Sequence, residues 1–470
     1  MKRTLLFAGP CVVLSIVVAC ASPSDMTLGQ FEDAGGTTSV VPPEEDASSD
    51  PPRDAGSPPV RSSCSDAGWC ATELPDDDLD IRDVWPLETR AFAIAESRSL
   101  GVKTLEWDAT NGWRYIDDNT QNAYGFEPYA GTLWAPSDNE LYYGVAQGFI
   151  YHGTRATPSS PWSWERSRLD DHGQGPPALA RSHLEFRKWA DSEPANTGAV
   201  GVWGASSGDV YAWYANALYH REVDDEGLAS WNLEHVVDDP STPNDALYIL
   251  SAAGSGPQDI WLSGARASLI NGRVFVCPIV VHKTPSGYSR MVDHTVRWST
   301  QPAETCSTKA GYKTLVVRLS LFGMTFEIPS TLSGYLPRLT STGVNAAAGV
   351  QDSFLVFMRD ADTWTGTMNT VAFTPVHYHV DVPTNLSSLW VDGDRTWLSG
   401  WGAVLTTQTA YDQWSAGVGI AASADAGGYE LSSIALDGIT IDVPIHQIRG
   451  TSNTNLWAVG KRYALHKTTP

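Results

Sequence analysis

From about Arg82 onward, hydrophobic and polar residues alternate in short runs separated by turn residues. Alternation with a period of two is typical of a half-buried β-strand, and Gly, Asn and Asp between such runs favour tight turns. The pattern is clearest in three copies that align without gaps, at 209–220, 395–406 and 455–466. Each copy predicts a short strand, a turn and a second strand.

A further strand is predicted before each hairpin, seven or eight residues ahead of its central aromatic residue. The resulting pairs are Trp390 with Trp397, Trp203 with Tyr211, Arg449 with Trp457, Trp134 with Tyr142, and Trp85 with Phe92. Trp261 and Phe354 mark two degenerate copies, which makes seven. A fourth strand is predicted after each hairpin, and it often carries a tryptophan: Trp113, Trp164, Trp231, Trp298 and Trp414.

Four-stranded units that recur at intervals of roughly 45 to 70 residues are typical of propeller blades. We therefore predict an all-β fold, a single β-propeller of about seven four-stranded blades, within a range of six to eight. The interval from Ala252 to Asn345 is longer than the others, so we expect an insertion in the fourth blade or an additional blade.

The last copy has only three strands before the sequence stops at Pro470. Gly68-Trp69, just ahead of the first copy, matches the missing outer strand and its tryptophan. We therefore expect a strand near Trp69 to close the ring and to remove an open edge that would favour aggregation.

These copies resemble the tryptophan-rich propeller repeats of secreted bacterial proteins, which are related to photosystem assembly factor-like and sialidase-like propellers. The resemblance covers about residues 65–470 and rests on the hairpin with its aromatic residues. It implies an architecture and no particular activity, because one fold carries many functions.

The N-terminus has the features of an export signal. A basic start at Met1–Arg3 precedes an apolar run from Leu5 to Ala19, which is too short for a comfortable transmembrane helix. The run ends in Val17-Val18-Ala19-Cys20, which resembles the lipobox of bacterial lipoproteins. The alternative is an ordinary secretory signal that happens to contain a cysteine.

The lipobox resemblance implies that residues 1–19 are removed as a signal peptide and that Cys20 is lipidated with fatty acyl chains such as palmitate. More than one acyl chain holds a protein stably at a membrane. Because Ala21, and not Asp, follows the cysteine, the resemblance further implies the outer membrane of a Gram-negative bacterium.

Residues 20–63 are rich in Pro, Ser, Gly, Asp and Ala, which predicts a disordered acidic tether in front of the propeller at 64–470. The formal net charge of the chain is −23. An acidic protein without basic clusters repels phosphates, so the composition argues against nucleic acid as a ligand. We expect a monomer that contacts a membrane only through the lipid on Cys20.

Of the six cysteines, Cys11 leaves with the signal peptide and Cys20 takes the lipid. The other four predict two disulfides in an exported protein, with three connectivities open. Proximity in sequence favours the pairs Cys64–Cys70 and Cys277–Cys306. A metal site is the alternative, although no Cys-x₂-Cys spacing supports it.

Candidates for chemistry are weak. His377 and His379 would lie on one face of a strand as a metal pair, but no third ligand can be assigned, and we predict neither metal nor cofactor. His220 and His466 recur at one repeat position, with His152 nearby, which favours a role in the repeat. The run from Asp76 to Asp80 lacks the spacing of a calcium loop and is interpreted as solvated.

No catalytic motif is present, so no catalytic residue is assigned. The sequence favours a non-enzymatic module that binds or scaffolds a protein or a glycan through its propeller faces. The alternative is a glycan-processing hydrolase or lyase whose carboxylates converge at the central channel. The sequence leaves open which of the two applies.

Overall fold

A computed structural model describes residues 64–469, except 124–128, 174–198, 271–272, 298–304, 322–323, 330–333, 352–353, 360–369, 376–385, 393–394, 408–429 and 437. Within these residues the chain is built of β-strands, with one short 3-10 helix, Thr120–Asn122. No helix in the described part has the length and apolar character needed to cross a membrane.

The described strands pair into seven sheets, numbered here as blades 1 to 7 in chain order. Strand β1 (Trp69–Ala71) precedes blade 1. Blade 1 contains β2 (Asp80–Pro86), β3 (Arg90–Ser97), β4 (Gly101–Asp108) and β5 (Gly112–Tyr115). Blade 2 contains β6 (Ala130–Ser137), β7 (Glu140–Val145), β8 (Phe149–Thr154) and β9 (Ser163–Arg168). Blade 3 contains β10 (Val200–Ser206), β11 (Asp209–Tyr214), β12 (Ala217–Val223) and β13 (Ala229–Val236).

The next two blades are larger. Blade 4 contains β14 (Asp245–Gly256), β15 (Asp259–Ile270), β16 (Arg273–Thr284), β17 (Gly287–Arg297) and β18 (Thr305–Thr308). Blade 5 contains β19 (Thr314–Leu321), β20 (Met324–Pro329), β21 (Arg338–Gly343), β22 (Ala346–Gln351), β23 (Phe354–Arg359) and β24 (Thr370–Pro375).

Two four-stranded blades complete the chain. Blade 6 contains β25 (Leu386–Asp392), β26 (Arg395–Gly400), β27 (Ala403–Thr407) and β28 (Glu430–Leu431). Blade 7 contains β29 (Ile445–Ser452), β30 (Asn455–Gly460) and β31 (Tyr463–Lys467), with β1 as its fourth strand. The innermost strands β2, β6, β10, β14, β21, β25 and β29 contact one another in this order, and β29 contacts β2, which closes the ring.

The predicted registers of the first two strands are confirmed in five blades. The paired positions are Trp85 with Phe92, Trp134 with Tyr142, Trp203 with Tyr211, Trp390 with Trp397, and Arg449 with Trp457. These side chains pack between neighbouring sheets, so the hydrophobic core is divided into clusters at the blade interfaces. Trp113, Trp164 and Trp231 lie on fourth strands as predicted, whereas Trp298 and Trp414 lie outside the described residues.

The prediction of four strands in every blade is wrong for blades 4 and 5. The long interval from Ala252 to Asn345 adds a fifth strand, β18, to blade 4 and the hairpin β19–β20 to blade 5. Strand β19 pairs in parallel with β24, so the hairpin extends the outer edge of blade 5. The interval thus enlarges two blades and forms no eighth blade among the described residues.

Phe354 is also misplaced by the repeat prediction. The second strand of blade 5 is β22, and Phe354 begins the third strand, β23. Strand β22 starts with three alanines and carries no aromatic residue, so the marker used for the other blades is absent there.

Ring closure by the N-terminal strand is confirmed. Strand β1 pairs antiparallel with β31, and Trp69 lies opposite Lys467. The Trp69 side chain is fully buried against blades 6 and 7, with its ring edge-on to Trp397 at 5.9 Å and its Nε1 donating to Ser432 Oγ at 2.8 Å. The last blade is therefore a composite of both ends of the propeller.

Candidate functional site

An aromatic–histidine clamp recurs in the blades. We use this name for an oxygen-bearing side chain that begins the second strand, the aromatic residue two positions later, and a histidine on the third strand. The histidine stacks on the aromatic ring, and its Nε2 approaches the oxygen. The copies are Glu140, Tyr142 and His152; Asp209, Tyr211 and His220; Asp259, Trp261 and His282; and Asn455, Trp457 and His466.

In three blades the clamp is closed. The Nε2-to-oxygen distance is 3.1 Å in blade 2, 2.8 Å in blade 4 and 2.9 Å in blade 7. The stacked pairs are centred 4.2, 3.8 and 4.2 Å apart. A stack and a hydrogen bond together tie the second strand to the third, so the histidines have the repeat role that the sequence predicts.

In blade 3 the clamp is open. His220 Nε2 lies 3.8 Å from Asp209 Oδ1, too far for a hydrogen bond. This nitrogen is buried and has no hydrogen-bond partner among the described residues. Asp259, the equivalent residue in blade 4, has the same length as Asp209 and does reach its histidine, so the gap in blade 3 comes from the placement of the two side chains and not from their length.

The open clamp forms part of a recess between blades 3 and 4. The recess has a volume of about 380 Å³, and its lining residues are Asp209, Tyr211, His220, Glu222, Asn232, Leu233, Glu234, Pro257, Gln258 and Lys283. Three of these residues are acidic and one is a lysine. The sequence did not reveal the recess, because it joins side chains from β11, β12 and β13 to a lysine on β16 of the next blade.

The carboxylates of the recess differ in their partners. Glu234 accepts hydrogen bonds from Lys283 Nζ and Tyr288 OH. Asp209 and Glu222 have no lysine or arginine partner among the described residues, and their nearest basic group is His220 at 3.8 and 3.9 Å. The lysine is thus committed to Glu234. Asp209 and Glu222 accept hydrogen bonds from the neutral groups Ser206 Oγ and Asn232 Nδ2, which leave their negative charges uncompensated.

Charged side chains on the innermost strand of blade 1 pair with groups in blades 1 and 7. Arg82 Nη2 contacts Glu96 Oε2 at 2.8 Å and Asp80 Oδ2 at 3.1 Å, and His446 Nε2 lies 2.9 Å from Asp80 Oδ1. Burial disfavours the charged form of Asp80, but the hydrogen bond with His446 and the charge of Arg82 outweigh burial and lower the pKa of Asp80.

Arg338 spans the interior of the ring. It belongs to blade 5, yet its Nη2 donates to the backbone oxygen of Arg82 in blade 1 at 2.7 Å. Its Nη1 lies 3.5 Å from Asp83 Oδ1, and Arg449 Nη1 lies 3.4 Å from the same oxygen. Burial lowers the pKa of Arg338 to about 10, and burial also lowers the pKa of Arg449.

The structure contains both disulfides that proximity in sequence favours. Cys64 bonds to Cys70, next to Trp69 in the closing strand, and Cys277 bonds to Cys306, which ties β16 to β18 in blade 4. Cys20, His377 and His379 lie outside the described residues. Among the described residues, no group of three or more His, Cys, Asp or Glu side chains is placed to hold a metal ion.

The acidic run at Asp76–Asp80 is interpreted from the sequence as solvated, but two of its carboxylates accept hydrogen bonds from other side chains. Asp78 Oδ2 accepts hydrogen bonds from Ser97 and Ser99 at 2.8 and 3.1 Å. Asp76 accepts a hydrogen bond from the Tyr115 hydroxyl. These carboxylates brace the segment between the closing strand and blade 1.

Two buried histidines predict acid-dependent unfolding. Burial lowers the pKa of His294 to about 4 and that of His466 to about 4, from an ordinary 6.5. The fold favours their neutral forms, so their stabilisation is complete above pH 6.5 and is lost as the pH falls towards 4; each contributes up to about 3 kcal/mol. Urea unfolding between pH 7 and 4 should show this decline. His466→Gln should reduce its slope by up to about 1.4 kcal/mol per pH unit; equal slopes in the wild-type protein and this variant would contradict the assignment.

Comparison with known proteins gives a limited result. No family model matches the chain, and no curated protein matches it. Among solved structures it is similar to one described as YCF48 bound to a D1 peptide, at 12% identity and a TM-score of 0.47, over 88% of this chain and 99% of the other. It is also similar to YCF48 from Cyanidioschyzon merolae, at 11% identity and a TM-score of 0.48, over 85% and 98%. Likeness at this level assigns no function, and the propeller fold is established by the strand pairing itself.

Proposed function

We propose that this chain is an extracytoplasmic lipoprotein, held by lipid on Cys20 at the outer membrane of a Gram-negative bacterium, whose propeller binds a protein ligand without chemical conversion. The observation that carries the binding function is the recess between blades 3 and 4, which is lined by two carboxylates without a lysine or arginine partner among the described residues and by the residues of the open clamp. The lipobox residues Val17–Cys20 support the anchor.

A protein ligand fits the surface better than a glycan does. Aromatic platforms for sugars need an exposed ring face, but Trp69, Trp213, Trp261, Trp397 and Trp457 are at most 1% exposed. Trp401, at 39%, is the most exposed described tryptophan. In the recess, His220 stacks on Tyr211 and covers a face of its ring.

Asp80, Asp83 and Glu96 of blade 1 give the hydrolase alternative little support. A glycosidase needs a carboxylic acid with a raised pKa and a second carboxylate beside it. Asp80 has a lowered pKa, and Glu96 and Asp83 are each in contact with arginine. A carboxylate with a lowered pKa, such as Asp80, is a poor proton donor.

Expression of the full chain in a Gram-negative host tests both parts of the proposal. The wild-type protein is expected in the membrane fraction and in the detergent phase after partitioning, and Cys20→Ala in the soluble fraction, because the acyl chains supply the membrane affinity. Retention of Cys20→Ala at the membrane would contradict the anchor.

Crosslinking in intact cells, followed by mass spectrometry, tests the binding function. The wild-type protein is expected to yield a discrete crosslinked protein partner. The absence of any partner, or release of sugars from peptidoglycan or other envelope polysaccharides by the purified protein, would contradict a non-enzymatic protein-binding role.

A further inference from the structure

We infer that the recess between blades 3 and 4 binds a lysine or arginine side chain of the protein partner, with Asp209 and Glu222 as the groups that recognise its charge. This assignment rests on the proposed function and specifies the chemistry of its ligand.

The recess carries negative charge that no cation of the described residues compensates. Asp209 and Glu222 line the recess with side chains that are 35% and 59% exposed. Glu234 is largely buried and is neutralised by Lys283. The two available carboxylates face one cavity, so a cationic group placed there gains charge-assisted hydrogen bonds from both sides.

The clamp of blade 3 differs from the closed clamps of the other blades. Where the oxygen of the second strand reaches the histidine, at 2.8 to 3.1 Å, the pair is satisfied internally. In blade 4, Asp259 is further fixed by Ser255 Oγ and by the backbone N–H of Asn345. In blade 3 the 3.8 Å gap leaves Asp209 Oδ1 and His220 Nε2 without each other, and both line the recess. Among the four blades with a clamp, blade 3 is the one whose clamp is open, and its clamp residues line the recess.

Blade 3 has an acidic residue two positions after the histidine of its clamp. In blade 3 this residue is Glu222, whereas Thr154 and Thr284 occupy the equivalent positions in blades 2 and 4. The additional carboxylate therefore belongs to blade 3 and has no part in the closed clamps.

The size and shape of the recess suit one long side chain. A volume of about 380 Å³ is at the lower end of the range for small-ligand pockets and accommodates one long side chain. Leu233, which is 47% exposed, and Pro257 give the recess an apolar wall. Lysine and arginine pack their methylene groups on such a wall while the charged end reaches the carboxylates. Because no three ligating side chains in the described residues are placed for a metal, an organic cation fits better than a metal ion.

The test uses two double variants of the full chain with the same change in charge. Asp209→Asn with Glu222→Gln removes both carboxylates of the recess. Asp225→Asn with Glu226→Gln removes two exposed carboxylates from the β12–β13 turn of the same blade, outside the recess. The probe is a hexa-arginine peptide, with hexa-glutamate as the peptide control, in calorimetric titrations at 0.15 M salt.

The wild-type protein and the turn variant are expected to bind hexa-arginine with Kd values within twofold of each other and not to bind hexa-glutamate. The recess variant is expected to bind at least tenfold more weakly, since it loses two charge-assisted contacts. Equal weakening in both variants would show general attraction to an acidic surface and would overturn the assignment. Failure of the wild-type protein to bind would overturn it as well.

Crosslinking in cells separates this assignment from the proposed function. Loss of the captured partner in the recess variant, with retention in the turn variant, supports the recess as the docking site. If the recess variant still captures the wild-type partner, the recess assignment is overturned while the binding function stands. If the wild-type protein captures none, the proposed function itself fails.

Discussion

Replacement of Trp69 by alanine is expected to lower the free energy of unfolding by about 3–5 kcal/mol. The Trp69 side chain is 0% exposed, contacts Trp397 edge-on at 5.9 Å, and donates to Ser432 Oγ at 2.8 Å. Its removal leaves a cavity at the closure of the ring and leaves a buried hydroxyl without its donor. Urea unfolding followed by circular dichroism measures the loss.

The matched control is Trp401→Ala. Trp401 is 39% exposed, and its Nε1 donates to Asp442 at 2.8 Å. Because Trp401 keeps 39% of its surface exposed to solvent, the same substitution should cost less, about 1–2 kcal/mol. Losses of equal size at the two positions would mean that Trp69 has no special role in the closure.

Arg266→Met is the second substitution with a large expected effect, a loss of about 3–5 kcal/mol. Arg266 is 0% exposed and contacts Asp239 and Asp293 at 2.7 Å and Asp245 at 3.0 Å. Burial alone would lower the pKa of Arg266, but Asp293 and the other carboxylates outweigh burial and raise it. Methionine fills much of the volume but leaves the fully buried Asp293 without its closest cation.

Arg98→Met provides the control for Arg266, since Arg98 lies exposed in the turn between β3 and β4. Its replacement should change the free energy of unfolding by about 0.5 kcal/mol or less. The loss for Arg266→Met should also shrink when Asp293→Asn is added, because the second change removes a fully buried carboxylate that would keep only Arg290, at 3.2 Å, as a cationic partner. A double variant no more stable than Arg266→Met would contradict this explanation.

The sequence predicts those blades that carry an aromatic residue on their second strand. Period-two alternation fixes which side chains face the neighbouring blade, since a shift by one residue would turn them to the other face. Trp390 opposite Trp397 and Trp203 opposite Tyr211 follow from that rule. The closure near Trp69 follows from the strand count, because a three-stranded last blade requires a fourth strand from elsewhere.

The sequence fails where the marker or the spacing changes. Blade 5 has alanines where other blades have an aromatic residue, so Phe354 was placed on the wrong strand. His282 was missed because β15 and β16 are 12 residues long, which puts this histidine much farther along the chain from Trp261 than in the gapless copies. Register still brings the two residues opposite each other.

No local sequence pattern predicts the recess or the contacts that Arg338 makes across the ring. The open clamp depends on the placement of the Asp209 and His220 side chains, and the charge of the recess depends on the contact of Lys283, from the neighbouring blade, with Glu234. Arg338 meets Asp83 only because the ring closes. Such contacts join residues far apart in the chain, and one sequence carries no periodic signal for them.

Closure of the ring by strand β1 is the central feature of this propeller. The direct test compares two chains that both end at Pro470, one beginning at Ser62 and the other at Thr72, by thermal unfolding. The chain from Ser62 retains Trp69 and the Cys64–Cys70 disulfide and should unfold at the temperature of the full protein. The chain from Thr72 lacks β1 and should unfold several degrees lower, with an open edge on blade 7. Equal unfolding temperatures would contradict closure of the propeller by its N-terminal strand.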